Sequence, residues 1–326
     1  MTINILVTGC TGFLGQNFLD PKNIQYLVSS LDARLICLAR RAPRIKCESP
    51  YLAYLLVPEP ANIPVNQYRK LIEKYKVEAI VHMAALVGEG KGCWEDYIRV
   101  NVKWPLSLAR AFTTANVYHH AFVFISTVGV YGTIPGELPA NEDTPYAPDN
   151  YYHASKVIAE RALIRLITKR ELPLLILRPT IMYGRYDKGF LWKVLRLSRR
   201  FLLPVPSNLR IHLLDVETAV SVIDALLLKP PGFNAFIVAD REPVRLRDLL
   251  SFLGGQIPGI RFIEVPDRSL QIMEHLMIPL KKYANITLLC RSWYYDVSRL
   301  KSTLNIRLGD TLNRINKYLR WYAGAC

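Results

Sequence analysis

The sequence predicts an α/β fold, a doubly wound parallel sheet with a smaller, discontinuous C-terminal lobe. Three observations predict it. A glycine-rich turn, Gly9-Cys10-Thr11-Gly12-Phe13-Leu14-Gly15, follows directly on the first apolar run. Short apolar, β-branched runs then alternate with helical patterns through the first half, the rhythm of βαβ units with right-handed crossovers. Tyr152 and Lys156 stand four residues apart at the start of a helical pattern, where i and i+4 share a face.

In order, Ile3 to Thr8 reads as the first strand and ends at Gly9. Glycines at 9 and 12 let the backbone turn tightly and approach a pyrophosphate. Gly15 permits close helix packing, and the first helical turn supplies N–H donors. Gly9, Thr11, Gly12, Phe13, Leu14 and Gly15 therefore predict dinucleotide binding in a Rossmann-like unit. After the second strand, Arg34 to Ala39, no carboxylate stands where one would hold a ribose 2′-hydroxyl. Arg40 and Arg41 favour a 2′-phosphate instead, hence NADP with NAD as the alternative. Two solvated arginines are the plain reading of the same residues.

The stretch from Cys47 to Pro64 is irregular, with a short strand at Leu52 to Val57. A helix over Gln67 to Lys76 leads to the strand Ala79 to His82. The small residues Ala84 and Ala85 follow, where a backbone can lie against a cofactor. A long helix from about Trp94 to Thr114 carries Asn101. Strand Ala121 to Ser126 delivers Ser126 and Thr127 to the carboxyl end of the sheet, where ligands bind in such folds. Beyond the Tyr152 helix, Leu174 to Leu177 runs into Arg178-Pro179, and Phe233 to Ala239 returns to the sheet. Residues 1–184 and 211–240 are thus expected to form the nucleotide-binding domain. Residues 185–210 and 241–326 are expected to form a substrate-binding lobe.

A free tyrosine titrates near ~10, and bringing it close to neutrality needs roughly 4 kcal/mol of differential stabilisation. The Lys156 ammonium, one turn from Tyr152, and a cofactor's positive charge are expected to supply it. A Tyr and a Lys four apart are common on solvated helices. The pair gains weight from the glycine turn and from Ser126-Thr127.

At 326 residues and 51% hydrophobic content the chain can bury one large core and a smaller one. No basic, apolar leader precedes the first strand, and the apolar stretch from Ile211 to Leu228 is broken by Asp215, Glu217 and Asp224. Neither secretion nor membrane insertion is expected. The six cysteines (Cys10, Cys37, Cys47, Cys93, Cys290, Cys326) form no CxxC pair, which suits a reducing cytoplasm. No metal-ligand spacing is visible. The 42 Lys+Arg against 27 Asp+Glu give +15, pointing to an acidic ligand, an anionic partner or a solubility device. The excess gathers at Arg40, Arg41, Arg44 and Lys46, and at Lys188, Lys193, Arg196, Arg199 and Arg200. No aromatic-interleaved repeat suggests nucleic acid.

Together these motifs resemble the extended short-chain dehydrogenases/reductases, in the branch of NAD(P)-dependent nucleotide-sugar epimerases and dehydratases. Also carrying the resemblance are His82-Met83-Ala84-Ala85, Val130-Tyr131-Gly132, Leu177-Arg178-Pro179, Tyr183-Gly184, Ile211 to Asp215 and Tyr294 to Lys301. It implies Tyr152 as general acid/base, Lys156 as the group that lowers its pKa and holds the nicotinamide ribose, and Thr127 at the reacting oxygen, with Ser126 also placed at the substrate. Asn101 matches the family's asparagine on the long helix, a structural residue or part of a proton relay, and with Pro179 it is counted among the cofactor-binding residues by the same resemblance. It implies a small-molecule substrate, a nucleoside-diphosphate sugar, and a 4-epimerase or 4-ketoreductase reaction. The alternatives are an NADPH-dependent reductase of a non-sugar ketone and a non-catalytic cofactor-binding scaffold.

A homodimer is implied as well, through the helices around Trp94 to Thr114 and Tyr152 to Ile167. Trp104, Leu108, Ile158 and Leu163 there are explained almost as well by burial within the chain. The sequence also departs from the family pattern. The aspartate after the third strand is missing around Leu55 to Pro58. The arginine expected for the diphosphate falls on Asn208, with Arg210 two residues on and on the same strand face. Val128-Gly129 stands where the 4,6-dehydratases carry Asp-Glu, so dehydration is not expected. Lys193, Arg196 and Arg200 form one helical stripe that suits an anionic substrate.

Overall fold

Successive residues of the first-half strands are apolar, the pattern of a parallel sheet covered on both faces. The computed structural model, which describes residues 2–42, 49–167, 172–267 and 285–324, has that sheet. In chain order the strands are β1 (Ile3–Thr8), β2 (Ala33–Ala39), β3 (Leu52–Leu56), β4 (Val77–His82), β5 (Ala121–Ile125), β6 (Leu174–Pro179), β7 (Ile181–Tyr183), β8 (Leu203–Pro206), β9 (Arg210–Ile211), β10 (Leu213–Asp215), β11 (Asn234–Val238), β12 (Val244–Arg245) and β13 (Phe262–Val265). Seven form one sheet in the order β11-β6-β5-β4-β1-β2-β3, and the pairings that join β1 through β6 are parallel. Arg44, Lys46, Cys47 and Cys326 lie outside the described residues.

The helices that position the site are α1 (Phe13–Phe18), α2 (Pro21–Leu31), α3 (Val65–Lys74), α4 (Trp94–Tyr97), α5 (Trp104–Thr114), α6 (Tyr151–Ile167), α7 (Phe190–Arg200), α8 (Val216–Leu228) and α9 (Leu246–Gly254). Leu6, Leu38, Ile80, Phe122 and Phe124 of the sheet share one core with Ile72 of α3, Phe112 of α5 and Leu163 of α6. The alternate residues Ile5, Val7, Leu35, Val81 and Val123 are buried on the other face, where α2 packs on β2. Each such side chain contributes about 1.5–3 kcal/mol when fully buried.

By contact density the chain divides into two units. One comprises Met1–Val130, Pro148–Arg178 and Val220–Phe236; the other comprises Tyr131–Ala147, Pro179–Ala219 and Ile237–Cys326. Within the second, β7 pairs with β10, β8 with β13 and β9 with β12. Two buried carboxylates bind its segments together. Asp240 accepts from the Tyr183 hydroxyl at 2.8 Å, the Thr311 hydroxyl at 2.7 Å and the Asp215 N–H at 2.9 Å. Asp215 accepts from the Tyr318 hydroxyl at 2.6 Å. Burial pushes the Asp240 carboxyl up to about 6.

Three expectations are corrected. The helix from Trp94 to Thr114 is not one α-helix: between α4 and α5 lies a wider π-helical turn, Ile98–Lys103. Pro105 at the start of α5 supplies the reason, since it has no N–H to return to the carbonyl of Asn101. Cys10 and Cys37 are not separate thiols but a disulfide, with Cα atoms 6.2 Å apart. The parallel register sets Val7 opposite Cys37, which brings the turn after β1 over that residue. Of the apolar residues named for a dimer contact, Trp104, Leu108 and Leu163 are buried in the chain's own core, leaving Ile158 exposed at 39%.

The π-helical turn sets Asn101 between the loop after β4 and α6. Its Nδ2 donates to Leu86 O at 3.1 Å and to Ser155 Oγ at 2.9 Å, and its Oδ1 accepts from Leu86 N at 2.8 Å. Asn101→Ala leaves those buried groups unpaired and is expected to lower stability by roughly 2–4 kcal/mol in urea unfolding. A loss under about 0.5 kcal/mol, the range of an inconsequential substitution, would rule out the clamp.

Candidate functional site

Helix α6 starts at Asn150, whose side-chain oxygen accepts from His153 N at 2.9 Å and whose carbonyl accepts from Ala154 N at 2.9 Å. Its spacing then puts Tyr152, Lys156 and Glu160 on successive turns of one face. Lys156 is 1% exposed and Glu160 fully buried. The Lys156 ammonium donates to the Ile125 carbonyl at 2.7 Å and lies 4.6 Å from the centre of the Phe124 ring. Glu160 accepts from Arg178 of β6, with Nε 3.2 Å from each carboxylate oxygen and Nη2 2.7 Å from Oε2. It also accepts from the Ser126 hydroxyl.

These contacts separate two residues that the sequence pairs. Ser126, expected at the substrate, is 3% exposed and turned to Glu160. Thr127 is half-buried and lies beside the Tyr152 hydroxyl, whose pKa it draws down. It also accepts from Gly129 N at 3.1 Å. Burial pushes the Tyr152 phenol up, with the neighbouring Thr127 hydroxyl acting against that rise. In the chain by itself desolvation outweighs the favourable contacts of the phenol, while the Lys156 ammonium is directed to the Ile125 carbonyl. Burial brings Lys156 itself down to about 7, opposed by the charge of Glu160.

The glycine turn forms a cradle at the point where strand order reverses, between β1 and β4. Thr8 ties the two strand ends: its hydroxyl is 2.9 Å from His82 Nδ1, and its carbonyl accepts from Met83 N at 3.2 Å. Gly9 has φ +78°, and a Cβ there would lie 2.6 Å from Ala84 N. A Cβ on Gly15 would lie 2.2 Å from Gly9 O. Neither position admits a side chain. Thr11 and Gly12 at the crest are exposed, Phe13 and Leu14 begin α1, and Ala84 and Ala85 line the end of β4. The cradle fits a dinucleotide pyrophosphate. Arg40 and Arg41 lie exposed just past β2.

The remaining expected residues lie in the second unit. Pro179 is buried at the end of β6, and Arg210 is exposed on β9, its N–H donating to Ser292 Oγ at 3.0 Å. The Asn208 side chain is engaged by Asp267 at 2.8 Å. Lys193, Arg196 and Arg200 are exposed on α7, with the Arg196 guanidinium 4.6 Å from the centre of the Trp192 ring. Among the described residues no group of three His, Cys, Asp or Glu could hold a metal ion, and no helix is long and apolar enough to cross a membrane. Glu160, Arg178, Thr8 and His82 had no part in the site as read from sequence. Glu160 was detectable as the next residue on the Tyr152–Lys156 stripe, and Arg178 as a cation inside an apolar strand.

A dinucleotide cradle at the switch point with a Tyr–Lys pair on the adjoining helix defines a nicotinamide-dependent enzyme of the extended short-chain dehydrogenase/reductase class. The pattern of the NAD dependent epimerase/dehydratase family matches residues 5–219, and the chain belongs to that family. A UDP-glucose 4-epimerase of Vibrio cholerae is 29% identical over 261 residues, 77% of this chain and 74% of that protein. A low-salt glycan biosynthesis protein of Haloferax volcanii is 30% identical over 280 residues, 80% of this chain and 86% of that one. Among solved structures, the Bordetella bronchiseptica enzyme WbmG in complex with NAD is similar at a TM-score of 0.76 and 19% identity, over 99% of this chain and 95% of that one. This last likeness is one of fold.

The folded-state pKa of Lys156, about 7, lies below its ordinary 10.5. Between those values the unfolded chain binds more protons. Stability is therefore held down below pH ~7 and recovers as pH rises toward ~10. Lys156→Met is expected to raise the urea midpoint more at pH 6 than at pH 9.5. Equal gains at both would show that the ammonium is not desolvated in this way.

Proposed function

We propose that this protein interconverts a C=O and a CH–OH centre at C-4 of a nucleoside-diphosphate sugar, as a 4-epimerase. The observation that carries this reading is the Thr127–Tyr152 hydroxyl pair on the face that also holds buried Lys156. A proton must move at the oxygen as a hydride moves at the carbon. Tyr152 gives or takes that proton, Thr127 hydrogen-bonds the same oxygen, and Lys156 holds positive charge one turn away. The bound dinucleotide supplies hydride acceptance and donation.

Gly9, Thr11, Gly12, Phe13, Leu14 and Gly15 would hold its pyrophosphate, with Ala84 and Ala85 beside them. Tyr152 and Lys156 would hold the nicotinamide ribose. Asn101 acts through Leu86, and Pro179 is assigned by resemblance alone. Ser126 is assigned to the support of Glu160. Arg210 is assigned to the substrate diphosphate in preference to Lys193 or Arg196, whose exposure matches a solvated face equally well.

The relatives support the epimerase reading by their names, a UDP-glucose 4-epimerase among them. A 4-ketoreductase is favoured by one observation: Arg40 and Arg41 stand exposed after β2 with no carboxylate there, which suits NADPH. We propose NADP(H) as the preferred cofactor on that ground, although WbmG carries NAD. Residues 1–184 and 211–240 are proposed to bind the nucleotide cofactor, and 185–210 and 241–326 the substrate. A cytoplasmic site of action is proposed because nicotinamide dinucleotides and nucleotide sugars are available there; the Cys10–Cys37 disulfide argues the other way. A homodimer is proposed through the α4–α5 and α6 surface, where Tyr151 and Ile158 stay exposed.

Tyr152→Phe is expected to lower kcat by about 10²–10⁴-fold, the usual contribution of a positioned acid/base, with dinucleotide affinity nearly unchanged. A variant with near-normal kcat would remove Tyr152 from this role, and binding without turnover in the wild type would leave a scaffold. Arg40→Ala should lower the ratio of NADPH to NADH efficiency roughly ten- to hundredfold, the worth of a charge-assisted contact; an unchanged ratio refutes the 2′-phosphate assignment. Calorimetric titration with UDP, GDP and dTDP should give at least one salt-sensitive affinity that weakens in Arg210→Ala. Binding to none would move the substrate to an uncharged ketone.

A further inference from the structure

Beside this machinery two titratable groups have no part so far, Asp149 and His153. His153 follows Tyr152 in α6, and the two ring centres are 5.7 Å apart. Its Nδ1 lies 2.6 Å from Asp149 Oδ1. A carboxylate only accepts, so the ring proton sits on Nδ1 and the lone pair of the neutral imidazole on Nε2. Asn150 Nδ2, 2.9 Å from Nδ1, is 3.1 Å from the same carboxylate oxygen and donates to it. His153 Nε2 has no hydrogen-bond partner among the described residues.

Gly129 decides where that nitrogen stands. A Cβ built on Gly129 would lie 2.2 Å from both Cδ2 and Nε2 of His153. The imidazole, 14% exposed, therefore fills the volume that any side chain at position 129 would take. Gly129 belongs to the turn that carries Thr127, to whose hydroxyl its N–H donates. The basic nitrogen is thus fixed at the turn that presents the Thr127 hydroxyl beside Tyr152, with a carboxylate behind it.

We propose that His153, backed by Asp149, is a second proton-transfer residue acting on the C–H next to the carbonyl held by Thr127 and Tyr152. The inference rests on the role given to those two hydroxyls above. A carbonyl acidifies the neighbouring C–H. Nε2 takes that proton, the C–H electron pair becomes a C=C bond, and the carbonyl π pair moves onto oxygen, which the Thr127 and Tyr152 hydroxyls hydrogen-bond. Return of the proton from Nε2 reverses every step, and no electrons enter or leave. Asp149 stabilises the imidazolium formed on the way. The substrate class is a sugar with a keto group beside a CH.

The test uses UDP-, dTDP- and GDP-linked 4-keto-6-deoxyhexoses as probes in D₂O. Loss of the proton signal beside the carbonyl is followed by NMR, and hydride transfer from added NADPH or NADH to the same probes is followed by absorbance. The wild type is expected to exchange that proton. His153→Asn should slow exchange by about a hundredfold or more, well beyond its effect on hydride transfer, and Asp149→Asn should slow it by a smaller factor. If His153→Asn does not fold, Gly129→Ala, whose methyl displaces the ring, is expected to slow exchange instead. Exchange unchanged in the folded variants overturns the proposal, as does wild-type hydride transfer to a probe without exchange. Neither hydride transfer nor exchange with any probe overturns the C-4 reading beneath it.

Discussion

A carboxylate with no access to water governs the site. An unpaired charge at Glu160 would cost several kcal/mol inside this core, and the chain meets that constraint with Arg178 from β6 and the Ser126 hydroxyl from the end of β5. Those partners lie on different strands, so satisfying one side chain fixes α6 against two neighbours in the sheet. Lys156 lies a turn closer to the chemistry and takes its counter-charge from the same carboxylate. Tyr152 lies one turn further, where the stripe reaches Thr127. Removing one member of the Glu160–Arg178 pair would strand the other, at about 3–5 kcal/mol, and the position of the acid/base would go with it.

A second constraint acts at the crevice through backbone crowding. The turn after β1 is seated on the chain leaving β4 so closely that Gly9 and Gly15 have no room for a methyl group. Thr8 and His82 hold those strand ends together in the interior. The cradle and the Tyr–Lys helix are therefore set by separate interactions, one of backbone shape and one of buried charge.

The strands were legible in the sequence because parallel strands bury both faces and leave unbroken apolar runs, and the glycine turn because its spacing has a steric cause. The Tyr152–Lys156 stripe was legible from helix geometry. What spacing does not carry is direction. It places Lys156 near Tyr152, but not the ammonium at the Ile125 carbonyl, and it cannot tell that Ser126 faces inward while Thr127 does not. Trp104, Leu108 and Leu163 show an apolar face without naming what covers it. The Cys10–Cys37 bond depends on strand register across 27 residues, and the seat of His153 depends on the missing side chain of Gly129; both become visible only once the chain is folded.

The wide turn at Ile98–Lys103 changes how this chain should be aligned with others. An α-helical turn advances about 100° per residue, so one extra residue in a turn rotates everything before it by that angle relative to everything after. The segments α4 and α5 are thus out of phase, and a hydrophobic pattern read continuously through them mixes two faces. A one-residue gap at this point in a relative would mark a chain that has closed the turn to an ordinary helix, carrying its own residue at position 101 to a different azimuth. Gap placement here is structural information, and sliding it by a few positions would pair residues whose side chains point about 100° apart.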